Sequence, residues 1–290
     1  MRIFDFHTHT FPDKIAAAAV DKLQAASHTH PFTDGTVEGL KRSMRAAGIA
    51  ASLVLPVATN TRQVPHVNDA SIAMNACAAE TGVYSFGCMH PDYADYAAEL
   101  KRLADAGVRG IKLHPVYQGV DFDDPRYLRI LDAAGNLGLI VLIHAGLDVG
   151  FPGVVHASPR QVLNAIRSVG QLTLVLAHMG GWRCWDEVLD LLPGTGAYID
   201  TSFSLGCMTG NGDGYYKTPQ ELALLSEDQF LRIIRAFGAE RALFGTDCPW
   251  GDQAAEVKRF LSLPLTDAEK ERIMEKNAQR LLGLPRESER

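Results

Sequence analysis

The sequence has few cysteines, and their arrangement suggests neither a disulfide framework nor a metal knuckle. The 290 residues include five cysteines, at positions 77, 88, 184, 207 and 248. Their number is odd and no C-x-x-C motif occurs, which argues against both of these arrangements. We therefore expect reduced thiols and a cytoplasmic protein.

Long apolar runs and an excess of positive charge are also absent. No stretch reaches the ~20 apolar residues of a membrane span, and no run of signal length stands near the first residue. The formal net charge is −6, which disfavours nucleic acid and anionic membranes as partners. We expect a small-molecule substrate, and the sequence leaves open whether the chain forms a homo-oligomer.

Eight short apolar segments recur along the chain, separated by amphipathic stretches. They span 2–9, 51–58, 83–90, 110–115, 139–145, 172–180, 197–202 and 242–250. Continuous apolar runs are typical of parallel strands that are covered on both faces. Strand alternating with helix eight times predicts an α/β fold, a (β/α)₈ TIM barrel formed by residues 1–290 as a single domain. The alternative is an open doubly wound sheet, but no G-x-G-x-x-G or Walker A loop supports a nucleotide-binding version.

The first of these segments carries polar residues where a buried strand is expected. In FDFHTH, Asp5, His7 and His9 are spaced two apart, which places their side chains on one face of the strand. Polar groups on an interior face are costly unless something satisfies them. A bound metal ion would satisfy them.

Other ionisable residues occur where later strands end. They are Lys112 and His114 on the fourth strand, His144 on the fifth, His178 on the sixth and Asp247 on the eighth. A single histidine at a strand end is more often a hydrogen-bonded core or loop residue. Because all of these residues occupy the C-terminal end of a strand, barrel closure would bring them to the rim where barrel enzymes build their sites.

Together these motifs resemble the amidohydrolase superfamily of metal-dependent barrel enzymes. The shared pattern is D-x-H-x-H on the first strand, His on the fifth and sixth, and Asp on the eighth. FDFHTHTFP, GIKLHP, LIHAG, LAHMGG, FGTDCPW and EKNAQRLLGL are similar to the amidohydrolase-related (amidohydrolase 2) branch. That branch also contains aromatic-acid and aminocarboxymuconate-semialdehyde decarboxylases. The resemblance covers essentially the whole chain and is specific for fold and metal site, not for substrate.

The resemblance implies a metal site with four ligands, namely His7, His9, His144 and Asp247. Such N and O ligands suit Zn²⁺, with Mn²⁺, Fe²⁺ or Co²⁺ as alternatives. Asp247 would also be the general base that takes a proton from the activated water. His178 would polarise the substrate carbonyl or bind a second metal. Asp5 would orient one of the metal ligands without binding the metal itself.

Lys112 determines whether one ion or two are expected. In dihydroorotase-like relatives a fourth-strand lysine in a K-L-x-P setting is carboxylated and bridges two metals, and GIKLHP resembles that stretch. The closer branch is generally mononuclear. We therefore favour one ion, keep two as the alternative, and assign His114 to a supporting or pocket role.

Two reactions fit such a site. The first is hydrolysis of an amide, lactone or related ester of a small molecule, and the second is non-oxidative decarboxylation of an aromatic or enoic acid. The D-x-H-x-H start and GIKLHP favour the hydrolase, and a non-catalytic binding protein is disfavoured because no proposed ligand is missing.

Two further residues are candidates for the substrate pocket. Arg62, after the second strand, either pairs with an anionic substrate group or is a solvated loop residue. Trp250 either walls the pocket or packs structurally.

Overall fold

The computed structural model describes residues 1–284, so residues 285–290 of the predicted domain lie outside the described part. Within it the strands are β1 (Ile3–Thr8), β2 (Ile49–Val54), β3 (Val83–Ser85), β4 (Gly87–Cys88), β5 (Gly110–Leu113), β6 (Ile140–Ile143), β7 (Leu147–Asp148), β8 (Phe151–Val155), β9 (Thr173–Leu176), β10 (Tyr198–Asp200) and β11 (Ala242–Leu243).

The helices alternate with these strands. They are α1 (Asp13–Ser27), α2 (Val37–Ala47), α3 (Gln63–Ala76), α4 (Ala78–Thr81), α5 (Tyr96–Asp105), α6 (Pro115–Gln118), α7 (Pro125–Asn136), α8 (Pro159–Ser168), α9 (Trp185–Leu191), α10 (Pro219–Leu222), α11 (Glu227–Phe237), α12 (Gln253–Ser262), α13 (Asp267–Glu271) and α14 (Asn277–Leu282). A 3₁₀ turn spans Ala239–Arg241, and a π-helical turn, Arg272–Lys276, joins α13 to α14. None of the helices in 1–284 is both long and apolar enough to cross a membrane.

The parallel strands close into a ring. β1, β2 and β3 pair in that order, and a second sheet runs β4, β5, β6, β9, β10, β11. β3 and β4 are two halves of one barrel strand separated by Phe86, so they connect the two sheets. At the remaining seam the N–H of Phe6 donates to the carbonyl of Phe244, and the N–H of Asp247 donates to the carbonyl of His7, both at 2.8 Å. The predicted (β/α)₈ TIM barrel is confirmed.

Alternate residues of each strand face two different apolar layers. Leu142 and Val175 belong to a cluster with Phe6 and with Leu282 of α14, which fills the barrel interior. Their neighbours along the strands, such as Ile143, join the larger cluster between strands and helices. Both faces of a barrel strand are therefore apolar, as the continuous hydrophobic runs indicated.

The first strand departs from regular geometry just before its histidines. The register of β1 against β2 shifts between Asp5 and Thr8. The carboxylate of Asp5 accepts hydrogen bonds from the N–H of His7 (3.2 Å), from the N–H (3.0 Å) and hydroxyl (2.5 Å) of Thr246, and from the amide of Gln253 (2.7 Å). Asp5 thus ties the backbones of two barrel strands to α12, and it does not contact an imidazole.

Replacing Asp5 with Asn should lower the free energy of unfolding by about 1–3 kcal/mol. The NH₂ group of the new side chain would face buried groups that now donate hydrogen bonds to the carboxylate. Burial raises the pKa of Asp5 to about 7, against the hydrogen bonds that lower it. Urea denaturation measures the change, and Asp21→Asn, on the exposed side of α1, is the matched control. Equal stability of the Asp5 and Asp21 variants would contradict this role.

Candidate metal centre

Three of the predicted ligands meet at the C-terminal rim of the barrel. The Nε2 atoms of His7 and His9 are 3.2 Å apart, and each lies near Oδ1 of Asp247, at 3.3 and 3.2 Å respectively. Donor atoms about 2.0–2.1 Å from a tetrahedral Zn²⁺ ion would be separated by about 3.3–3.4 Å. The three atoms therefore have the spacing of a metal-ligand set.

The protonation of these groups supports the same interpretation. Nδ1 of His9 lies 2.9 Å from the carbonyl of Leu55, which can only accept, so this nitrogen carries the proton. Nδ1 of His7 likewise donates to Oδ2 of Asp200 at 2.8 Å. Both Nε2 atoms then present lone pairs to an acceptor-only carboxylate. Three converging acceptors with no proton between them repel one another unless a cation lies among them.

Electrostatics keeps the ring of His7 neutral and the carboxylate of Asp247 charged. Burial, together with the charge of Lys112, lowers the pKa of His7 to about 4. Burial opposes ionisation of Asp247, but the nearby imidazoles of His9, His7 and His178 hold its pKa well below the ordinary value. A neutral imidazole and an ionised carboxylate are the forms that bind a divalent cation.

His144, the fourth predicted ligand, is placed beside a different partner. Its Nδ1 lies 3.1 Å from Nε2 of His178, and its Nε2 lies 2.9 Å from the carbonyl of Leu147. The contact with Leu147 turns the ring away from the group formed by His7, His9 and Asp247. The structure therefore brings three of the four predicted ligands together.

The two facing ring nitrogens of His144 and His178 also have no proton to share when each ring donates from its other nitrogen. Nδ1 of His178 lies 3.1 Å from the carbonyl of Ser202. If each ring donates to its carbonyl, Nδ1 of His144 and Nε2 of His178 face each other as two acceptors. This pair is the position where a proton, a substrate donor or a second ion would be held.

A second group of possible ligands lies next to this pair. Nε2 of His114 and Nε2 of His144 lie 3.5 and 3.6 Å from Oδ2 of Asp148. The ring of His114 stacks on that of His144, with centroids 4.3 Å apart, and on that of Tyr117, at 3.8 Å. His114, predicted as a supporting or pocket residue, thus lies at the wall of the site.

Lys112 lies on β5 and is almost fully buried, with 1% of its surface exposed. Its Nζ has no hydrogen-bond partner among the described residues. Burial lowers the pKa of this amine to about 8, although Asp200, Asp247 and Asp148 oppose the shift. An unpartnered buried amine beside the ligand groups is consistent with carboxylation and equally with pairing to an anionic substrate.

A cavity of about 910 Å³ opens above these groups. Its wall includes His9 and Asp247, two of the predicted ligands, and it includes Trp250, one of the two pocket residues proposed from the sequence. The other, Arg62, does not line the cavity, because it is an exposed residue that precedes α3 on the outer rim. The structure supports the solvated alternative for Arg62.

Asp200 is a site residue that the sequence patterns did not single out. Its Oδ1 accepts hydrogen bonds from the N–H groups of His178 and Ser202 at 3.0 and 3.1 Å, while its Oδ2 holds His7. Asp200 is the last residue of β10 and lies within the seventh predicted strand, AYIDTS. The other candidate residues were found because they lie at the C-terminal ends of strands, and the same signal could have identified Asp200.

The backbone is unusual at two of the predicted catalytic residues. His178 and Asp247 have φ angles of 58° and 65°, in the left-handed region that residues other than glycine adopt rarely. Such conformations concentrate at functional sites, where the surrounding structure holds them. Here each turn directs a side chain into the rim as the strand ends.

Comparisons with known proteins agree with this fold. A family model described as amidohydrolase (Amidohydro_2) matches residues 4–284. A search of curated proteins finds no match.

Solved structures that resemble the chain cover nearly its full length. An uncharacterised TIM-barrel protein from Bordetella bronchiseptica is 19% identical with a TM-score of 0.73, over 98% of this chain and 99% of its own. A dihydroxybenzoic acid decarboxylase from a Polaromonas species, solved with manganese and the inhibitor 2-nitroresorcinol, is 15% identical with a TM-score of 0.67, over 99% and 98%. A candidate 2-pyrone-4,6-dicarboxylic acid hydrolase from Pseudomonas putida is 18% identical with a TM-score of 0.64, over 99% of both chains. At these identities the likeness establishes the shared barrel, while the family match over residues 4–284 shows that the chain belongs to the amidohydrolase family.

Proposed function

We propose that the chain is a metal-dependent hydrolase that uses metal-activated water to cleave an amide, lactone or related ester of a small molecule. The observation that carries the proposal is the convergence of three acceptor atoms, from His7, His9 and Asp247, at the floor of an open cavity. We propose Zn²⁺ as the ion, with Mn²⁺, Fe²⁺ or Co²⁺ as alternatives, and one ion in preference to two. A cytoplasmic location is part of the proposal.

The residues around this floor have distinct roles in the proposed reaction. A divalent cation held by His7, His9 and Asp247 would supply the Lewis acidity that lowers the pKa of a water molecule toward neutral pH. Asp247 stays ionised and accepts the proton of the attacking water at its carboxylate. His178 polarises the substrate carbonyl oxygen, a role that requires its single ring proton on Nε2 rather than on the Nδ1 that faces the carbonyl of Ser202. Asp200 and the carbonyl of Leu55 keep the proton of each ligand ring on Nδ1.

Non-oxidative decarboxylation of an aromatic or enoic acid is the second candidate. It is supported by the buried, unpartnered Nζ of Lys112, which could pair with a substrate carboxylate. The resemblance to a solved dihydroxybenzoic acid decarboxylase points in the same direction. The two reactions differ in product, acid in one and CO₂ in the other.

Removing the metal should abolish activity, and about one equivalent of Zn²⁺ per chain should restore it, because three acceptors cannot activate water without an ion. Metal content by mass spectrometry and initial rates on a panel of esters, lactones, amides and hydroxylated aromatic acids measure this, with acid release and CO₂ followed separately. Full activity of the metal-free protein would refute the proposal. A need for two equivalents together with bicarbonate would favour a carboxylated Lys112 and two ions.

A further inference from the structure

The cavity extends well beyond the metal centre. Its volume is about 910 Å³, whereas a cavity of about 150 Å³ holds a benzene ring. From His9 and Asp247 its wall continues outward to α1 and to the hairpin formed by β7 and β8. A single-ring substrate at the ligand groups would leave most of this space unfilled.

The outer part of the wall is apolar although solvent reaches it. Ile15, Ala19, Leu23 and Ala26 of α1 line the cavity and recur at helical spacing, and we call these four residues the α1 face. Ile15 is 53% exposed, and Phe151, which lines the cavity from the hairpin, is 43% exposed. Large apolar side chains that are exposed and continuous with a site mark a ligand-binding surface.

The α1 face and the hairpin approach each other closely at one end, so the cavity is bounded there. A Cβ built on Gly150, at the hairpin turn, would lie 3.7 Å from Cβ of Ala26. Ala16 and Val20, on the side of α1 next to this face, are buried. Ile15 and Phe151 both line the cavity and are exposed, so the cavity reaches solvent between α1 and the hairpin, and we call this outer part the channel.

We propose that this channel binds an extended hydrocarbon group of the substrate, so that the enzyme acts on esters, lactones or amides with a long or bulky apolar acyl or alcohol part. The reaction named here rests on the proposed function, whereas the binding of a hydrocarbon group rests on the channel alone. Continuity of the α1 face with His9 and Asp247 favours a substrate over a second copy of the chain as the occupant. Lys22, the only lysine or arginine of α1 that lines the cavity among the described residues, extends at the exposed rim.

Straight-chain hydroxamic acids, from acetohydroxamic to decanohydroxamic acid, test the channel without requiring turnover. Each chelates a metal ion through its head group and differs only in chain length. With the Zn²⁺-loaded protein, affinity measured by calorimetry should rise up to about fourfold for each methylene buried, and at least about 100-fold over the series. Equal affinity across the series overturns the proposal.

Two exposed positions on α1 provide matched variants. Ile15→Glu should weaken decanohydroxamic acid about 10-fold or more, because a charge would replace channel wall, and should leave acetohydroxamic acid unchanged. Ala17→Glu, exposed and outside the α1 face, should change neither. Equal weakening of both acids by Ile15→Glu would overturn the channel, as would a change in molecular mass of this variant by light scattering, which would assign the α1 face to a second copy.

Turnover of alkanoate esters of matched chain lengths separates this inference from the proposed function. Affinity that grows with chain length, with no ester, lactone or amide cleaved, would support the channel and refute the hydrolase. Cleavage of short and long esters at equal kcat/KM, with flat hydroxamate affinity, would support the hydrolase and refute the channel.

Discussion

Asp247→Asn should lower turnover by about 10³-fold or more, since one change removes both the anionic ligand and the proposed base. The carboxamide is the same size but cannot take a proton from water, and its neutral oxygen is a weaker ligand for a divalent cation. The backbone at Asp247 has a φ of 65°, which Asn tolerates. The variant should therefore fold, and kcat and metal content can be measured on intact protein.

Asp190→Asn, an exposed carboxyl group at the end of α9, is the control and should keep both activity and metal. If Asp247→Asn binds metal normally but does not turn over, the side chain acts chiefly as the base. Retained turnover would remove the proposed catalytic role altogether. Loss of both metal and turnover is the result that the short distances to His7 and His9 predict.

The barrel could be predicted because its strands carry a strong local signal. Both faces of each strand are covered, so the runs around Val141 and Val175 are continuously apolar. The ends of the strands could not be predicted as well. The eighth strand was expected over 242–250 but is regular only at β11, because the chain takes a left-handed turn at Asp247. The β7–β8 hairpin was not predicted, because its strands are short and most of β8 is exposed although its residues, FPGVV, are apolar.

The sequence could predict which residues the strand ends bring to one rim, but not how their side chains are oriented there. His7, His9 and Asp247 meet because adjacent barrel strands end at one rim. A spacing of two predicted that Asp5 shares this face, but its carboxylate accepts hydrogen bonds from the N–H of His7, from Thr246 and from Gln253 instead. Likewise the ring of His144 contacts the carbonyl of Leu147 in β7. Such hydrogen bonds depend on tertiary neighbours that no local pattern contains.

Asp200→Asn should lower metal affinity by about 10–100-fold, because the substitution should move the ring proton of His7 from Nδ1 to Nε2. The fold should change little. Oδ1 of Asp200 accepts from the N–H groups of His178 and Ser202, so the Asn oxygen must occupy that side. Its amide would then face Nδ1 of His7 and donate to it. The ring proton would shift to Nε2, which would point at Asp247 in place of a lone pair.

Chelator competition measures the affinity, and nitrogen NMR of the imidazoles should show His7 changing from the Nδ1–H to the Nε2–H form. Asp148→Asn is the matched control, a buried aspartate on the same rim whose carboxylate lies near His114 and His144. If the ion binds at His7, His9 and Asp247, the control should keep its affinity. Loss of affinity in the Asp148 variant alone, with the His7 tautomer unchanged in the Asp200 variant, would place the ion in the second group and contradict the assignment made here.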